Sequence, residues 1–204
     1  MTAFMPPLRA SQVTIVGLGD STTAGTPGFR SPVEAPPEGS GNPESQYAYW
    51  VQKSHPEWKI LNRGINRERT DEILKRFERD VLGHSPALVI VLAGVNDLYQ
   101  GESVDSILKN LKEIYDKADQ AGIKILACTV LPYNNGLTKE FHERMLQVND
   151  GIRTLSEKQG YGFCDTYHVL EDPTKPGRLI STSDGYHPDA EGVPQNGLGD
   201  WRSP

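Results

Sequence analysis

The chain has 204 residues, a formal net charge of −6 and a hydrophobic share of 36%. That length suits one domain with a central sheet covered on both faces, and the acidic balance weighs against a nucleic-acid partner or an anionic membrane, which both call for a basic surface. No apolar stretch approaches the roughly 18 to 20 residues of a membrane span. The start, Met1-Thr2-Ala3-Phe4-Met5-Pro6-Pro7, lacks the basic flank and apolar core of a secretory signal, so a cytoplasmic location is expected.

The first apolar run, 12–18, reads as a strand and is closed by Gly19-Asp20-Ser21. Segment 26–44 holds Pro27, Pro32, Pro36, Pro37 and Pro43 with Gly28, Gly39 and Gly41, and must be a long loop. A helix over 45–53 ends it, with Tyr47, Tyr49 and Trp50 read as core. A second strand, 58–62, runs into Asn62-Arg63-Gly64. Thr70-Asp71-Glu72 then looks like a helix start, with a hydroxyl cap and acids in the positive first turn.

The strongest strand signal, 87–93, is followed at once by Gly94-Val95-Asn96-Asp97. Helices are expected over 103–120 and 138–159, where apolar residues recur at helical period, and strands over 123–130 and 161–164. Cys128 and Cys164 lack metal-ligand spacing and read as two buried thiols, with a disulfide between them as the alternative that the sequence does not support. A loop, 171–183, leads to Asp184-Gly185-Tyr186-His187. Strands alternating with helices define an α/β fold with a mainly parallel five-stranded sheet, as a single domain over 1–204. After Glu191, the stretch Gly192-Val193-Pro194 cannot propagate a helix, so 192–204 reads as an irregular tail.

In an open parallel sheet, ligands sit beyond the carboxyl ends of the strands. Ser21, Gly64 and Asn96 each follow a strand and so land on one rim, and the loop before Asp184 is long enough to cross back over it. The residue types suit acyl transfer. A serine needs a base to take its proton, an imidazole does so near neutral pH, and a carboxylate three residues before His187 can fix its tautomer. The anionic tetrahedral intermediate needs donors, which the backbone N–H groups of Ser21 and Gly64 and the side-chain amide of Asn96 can supply.

These blocks, in this order, resemble those of the SGNH hydrolases, also called GDSL-type esterases and lipases. Gly19-Asp20-Ser21 is similar to the nucleophile block, Asn62-Arg63-Gly64 to the glycine block, Gly94-Val95-Asn96-Asp97 to the Gly-x-Asn-Asp block, and Asp184-Gly185-Tyr186-His187-Pro188 to the Asp-x-x-His block. The resemblance implies a flavodoxin-like three-layer α/β/α sandwich and hydrolysis of esters or thioesters through an acyl-serine, with no metal or organic cofactor. It implies Ser21 as nucleophile, Asp184 and His187 as its partners, and Ser21, Gly64 and Asn96 as the oxyanion hole.

The chain departs from the family at Arg67, where another glycine often follows three residues after Gly64, and in the absence of a closing helix after Glu191. The second departure leaves part of the sheet open or covered by another subunit of a homo-oligomer. The expected substrate is a small-molecule ester with a short acyl chain, because neither 26–44 nor 129–135 has the apolar stretch of a long-chain tunnel. The competing readings are an acyl thioesterase or lysophospholipase, a carbohydrate acetylesterase if the aromatic residues of 26–50 line the cleft, and an inactive binding module that keeps the fold.

Overall fold

A computed structural model describes residues 12–136 and 138–191. The apolar runs form one sheet of strands β1 (Val13–Gly19), β2 (Trp58–Gly64), β3 (Leu88–Leu92), β4 (Lys124–Cys128) and β5 (Gly162–Cys164). Every pairing in it is parallel, and the strands lie in the order β2-β1-β3-β4-β5. This is the flavodoxin-like order, in which the chain winds outward from β1 in both directions and leaves a crevice at the β1/β3 switch point.

Side-chain alternation along the strands separates two cores. Val16, Leu18, Val89, Val91, Ile125 and Ala127 face one layer, while Ile15, Ile90, Leu92, Leu126 and Cys128 face the other. The first layer is closed by α6 (Val104–Gln120) and α7 (Lys139–Gln159). α6 buries Ile107, Leu111, Ile114, Tyr115 and Ala118 along one stripe, the apolar face its sequence period demands. Its start is capped by Ser103, whose Oγ accepts from the Ser106 N–H at 3.1 Å. Gly160, at φ 70°, ends α7 in the left-handed conformation favoured by glycine.

The second layer is covered by α2 (Tyr47–Ser54), with Tyr47 and Trp50 buried against the sheet, and by Leu170 at the end of α8 (Thr166–Leu170). The helix expected over 45–53 is thus a 3-10 turn, Pro43–Ser45, followed by α2. Segment 26–44 is folded on itself by a short antiparallel pairing of Phe29–Arg30 with Ser40–Gly41. It is tied to the end of β2, where the Ser31 hydroxyl donates to the Gly64 carbonyl at 2.6 Å.

The expected cap at Thr70 is corrected. Thr70 is the first residue of α3 (Thr70–Lys75), and its N–H and hydroxyl both go to Asp97. The turn is supported instead by Glu72, whose carboxylate accepts the Arg69 N–H at 2.9 Å. Arg76 separates α3 from α4 (Phe77–Asp80) and is drawn into a buried network. It pairs with Asp80 at 2.7 Å and donates to the carbonyls of Gly19 at 2.8 Å and Arg63 at 2.9 Å. Cys128 and Cys164 are buried cross-strand neighbours. No described helix is long and apolar enough to cross a membrane. The tail 192–204, with the question of its missing helix, lies outside the described residues.

Candidate active site

β1, β2 and β3 end at one level, where Gly19 pairs with Gly64 on one side and Leu92 on the other. The chain then turns directly into a one-turn helix, α1 (Ser21–Ala24), with the Asp20 carboxylate accepting the Thr22 N–H at 3.0 Å as its cap. The turn leaves no space for side chains on its neighbours. A Cβ on Gly19 would lie 2.2 Å from the Leu92 carbonyl oxygen, and one on Gly64 would lie 2.1 Å from the Ala24 nitrogen. The backbone at these glycines therefore sets the height of Ser21 above the sheet.

Ser21 is 7% exposed, and its Oγ lies 2.8 Å from His187 Nε2. The other ring nitrogen, Nδ1, is 2.7 Å from Asp184 Oδ2. The spacing of three residues makes this contact local: Asp184 Oδ1 also accepts the backbone N–H groups of Tyr186 at 2.7 Å and His187 at 2.8 Å. Partial burial pushes the Asp184 carboxyl up, but these hydrogen bonds outweigh it, the His187 side chain contributing most, and hold the group below the usual carboxylate range. An ionised Asp184 accepts Nδ1–H, which leaves Nε2 as the acceptor for the serine hydroxyl.

The loop carrying His187 is fastened from below. Asn134 and Asn135 donate their backbone N–H groups to the Gly185 carbonyl, each at 3.0 Å, and Asn135 Nδ2 donates to the Asp184 carbonyl at 2.7 Å. Gly185 sits at φ 77°, and a Cβ there would collide with the Asn135 amide, so glycine is required on two counts.

Asn96 lies in the first turn of α5 (Val95–Tyr99), after Gly94 at φ 123°. One of its amide hydrogens goes to the Glu68 carbonyl at 3.0 Å, which fixes the side chain and leaves the second hydrogen for a ligand. Ser21, Asn96 and His187 line one cleft of about 670 Å³. Gly64 does not line it, and its N–H donates to Asn62 Oδ1 at 2.9 Å. Of the three residues expected to supply oxyanion donors, Ser21 and Asn96 thus line the cleft, and the Gly64 N–H is engaged elsewhere.

Arg67 lines the cleft as well. Its φ of 65° places it in the left-handed region, at a cost of about 1–2 kcal/mol for a residue with a Cβ. Its backbone N–H has no partner among the described residues. The signal for this residue was in the sequence: position 67 is where the family often has glycine, the residue that tolerates such a backbone.

The aromatic content of the cleft was not expected. Tyr99, Tyr133 and Tyr186 line it and pack as one cluster, with ring centroids 5.4 Å apart for Tyr99 and Tyr133 and 5.2 Å apart for Tyr133 and Tyr186. Tyr47 and Trp50 face the sheet instead. Beneath the site, burial pushes the Asp20 carboxyl up to about 7. Among the described residues no group of three or more His, Cys, Asp or Glu side chains is arranged to hold a metal ion.

The strand order, together with a cleft at the carboxyl ends of β1 and β3, defines an α/β fold of the flavodoxin-like three-layer type. The chain belongs to the GDSL-like lipase/acylhydrolase family, whose model matches residues 18–193. No curated protein matches it by sequence. Among solved structures, it is similar to a lipolytic protein of the G-D-S-L family from Desulfitobacterium hafniense, at 20% identity and a TM-score of 0.74 over 91% of this chain and 95% of that one. A GDSL-like lipase from Bacteroides thetaiotaomicron has 22% identity and a TM-score of 0.74, over 92% and 85% of the two chains. An acetyl xylan esterase variant from Geobacillus stearothermophilus has 21% identity and a TM-score of 0.71, over 95% and 98%. At these identities the likeness concerns the fold.

Proposed function

We propose that this hydrolase cleaves carboxylic esters with short acyl groups, with Ser21 as nucleophile, His187 as base and Asp184 as its orienting carboxylate. The observation that carries the reading is the continuous chain of contacts from Ser21 Oγ through both His187 nitrogens to Asp184, at 2.8 and 2.7 Å.

In the first half-reaction Ser21 Oγ attacks the acyl carbon while its proton passes to Nε2. The carbonyl oxygen becomes an anion, facing the Ser21 N–H and the remaining amide hydrogen of Asn96. We assign the third donor to the Arg67 N–H, because Gly64 donates to Asn62. Nε2–H then protonates the departing alcohol, leaving an acyl-serine. Water gives a proton to Nε2 and attacks the ester carbon, and the acid leaves as Ser21 recovers its hydrogen. Asp184 keeps the imidazolium favourable throughout without taking the proton.

A carbohydrate acetylesterase is the second reading, and the wall formed by Tyr99, Tyr133 and Tyr186 favours it. Flat rings with a polar tip suit the apolar face of a sugar that also offers hydroxyls.

The test is hydrolysis of p-nitrophenyl esters from acetyl to palmitoyl, and of acetylated sugars, by wild type and Ser21→Ala side by side. Turnover that peaks at short chains and disappears in the variant supports the assignment. Equal turnover in both proteins, or no labelling of wild type by an organophosphorus serine probe, refutes it.

A further inference from the structure

The lining of the cleft carries an unbalanced charge. Among the described lining residues Arg67 is the one lysine or arginine, and there is no carboxylate. This is unusual in a chain of net charge −6. The Arg67 side chain is exposed and forms neither an ion pair nor a hydrogen bond among the described residues.

The neighbouring charges are already neutralised or turned away. Arg69 is paired with Asp71 at 2.9 Å. Glu34 directs both carboxylate oxygens at Asn66, accepting its backbone N–H at 2.9 Å and its side-chain amide at 2.8 and 2.9 Å. Asn66 is further fixed by the Thr26 hydroxyl, which donates to its Oδ1 at 2.6 Å. Arg67 therefore projects from a braced backbone.

A second donor stands in the same lining. Arg69 Nη1 donates to Gln100 Oε1 at 2.8 Å, which orients the amide and leaves the Gln100 NH₂ without a partner among the described residues. A guanidinium and a primary amide, both donor-only toward the cleft, are complementary to a planar anion with two acceptor oxygens.

We propose that Arg67, assisted by Gln100, selects esters that carry a carboxylate close to the scissile bond. This rests on the assignment of the cleft as an esterase site and adds the chemical class of the substrate. The left-handed backbone at position 67 is then kept with arginine rather than glycine because the side chain reads the substrate.

The experiment compares matched acetyl esters, 4-acetoxybenzoate and its neutral methyl ester, and a second pair with the carboxylate on the acyl side, mono-p-nitrophenyl glutarate and p-nitrophenyl valerate. Wild type at low salt is expected to favour the anionic member of at least one pair by about tenfold in kcat/KM, with the gain in KM. Arg67→Gln and Arg67→Gly should bring that ratio close to one, Arg67→Lys should keep part of it, and 0.5 M salt should shrink it in wild type. A ratio near one for both pairs in wild type, or one unchanged in Arg67→Gln, overturns the proposal while leaving the esterase assignment standing.

Binding separates the two further. Titration calorimetry of Ser21→Ala with 4-acetamidobenzoate and its methyl ester needs no turnover. Tighter binding of the anion, abolished by adding Arg67→Gln, supports the proposal even if no ester is hydrolysed. Equal binding of the two amides contradicts it.

Discussion

Asp97 accepts both the backbone N–H and the hydroxyl of Thr70, at 2.9 and 2.5 Å, and so locks the helix bearing Asn96 to the start of α3. The segment holding Arg67 ends at that same point, and Asn96 returns the tie by donating to the Glu68 carbonyl. Burial pushes the Asp97 carboxyl up, and the two Thr70 bonds pull it partly back. Asp97→Ala leaves a buried N–H without a partner, which costs about 1–3 kcal/mol. The expected outcome is a lower denaturant midpoint together with a fall in kcat. A variant with the lower midpoint but unchanged kcat would show that the tie supports the fold and not the position of Asn96.

Asn96→Ala removes a side chain already held by one hydrogen bond and aimed into the cleft by the helix start. An oxyanion donor acts on the transition state more than on the bound ester, so kcat should fall about 10²–10³-fold with KM nearly unchanged. Steady-state kinetics on a short-chain aryl ester check this. A rise in KM at constant kcat would reassign Asn96 to substrate binding.

Asp184→Asn keeps the shape of the loop but replaces an acceptor by a donor at 2.7 Å from His187 Nδ1. The amide would favour the tautomer whose Nε2 carries hydrogen, so that the serine proton has nowhere to go. Loss on the order of 10³-fold or more in kcat is expected. The same change bears on stability. The Asp184 carboxyl lies below its ordinary range, so its stabilising contribution is present above the unfolded value and is lost as pH falls through the folded one. The stability gap between wild type and Asp184→Asn should accordingly narrow in acid, as measured by denaturant titrations at pH 3 and pH 6.

Asp20 behaves in the opposite sense. Burial raises its carboxyl from 3.8 to about 7, so between those values the folded chain holds a proton that the unfolded chain has released. Wild-type stability from this group falls as pH rises through that window and levels off above it. Asp20→Asn cannot titrate, and its stability relative to wild type should rise by about 2–3 kcal/mol from pH 5 to pH 7, at about 1.4 kcal/mol per pH unit. Urea unfolding of both proteins across that interval gives the slope. A flat difference would mean that Asp20 is ionised in the folded chain throughout.

The strands were legible because the buried parallel sheet requires near-continuous apolar runs, such as Leu88–Leu92, and these stand out in any composition. Ser21 and Asn96 were legible because residues that follow such runs must gather at one rim, and His187 because the loop before Asp184 is long enough to cross back over it. The fate of Gly64 was hidden, since it depends on the Asn62 side chain folding back onto the N–H two residues later. The aromatic wall was hidden for another reason. Tyr99 ends α5 while Tyr133 and Tyr186 lie in two separate loops, so they share no period, and only the tertiary fold makes them neighbours. The break at Arg76 likewise follows from long-range partners, the Gly19 carbonyl among them.

The lining of the cleft divides by origin. Ser21 and Asn96 sit on the first turns of helices that spring straight from strand ends, at positions where neighbouring glycines admit no replacement. Thr26, Arg67, Gln100, Tyr133 and Tyr186, by contrast, hang from connecting loops around that frame. The sheet thus fixes Ser21 and Asn96, whereas His187 shares its loop with Tyr186, so the lip residues away from that loop can be exchanged one loop at a time without moving either strand-borne group.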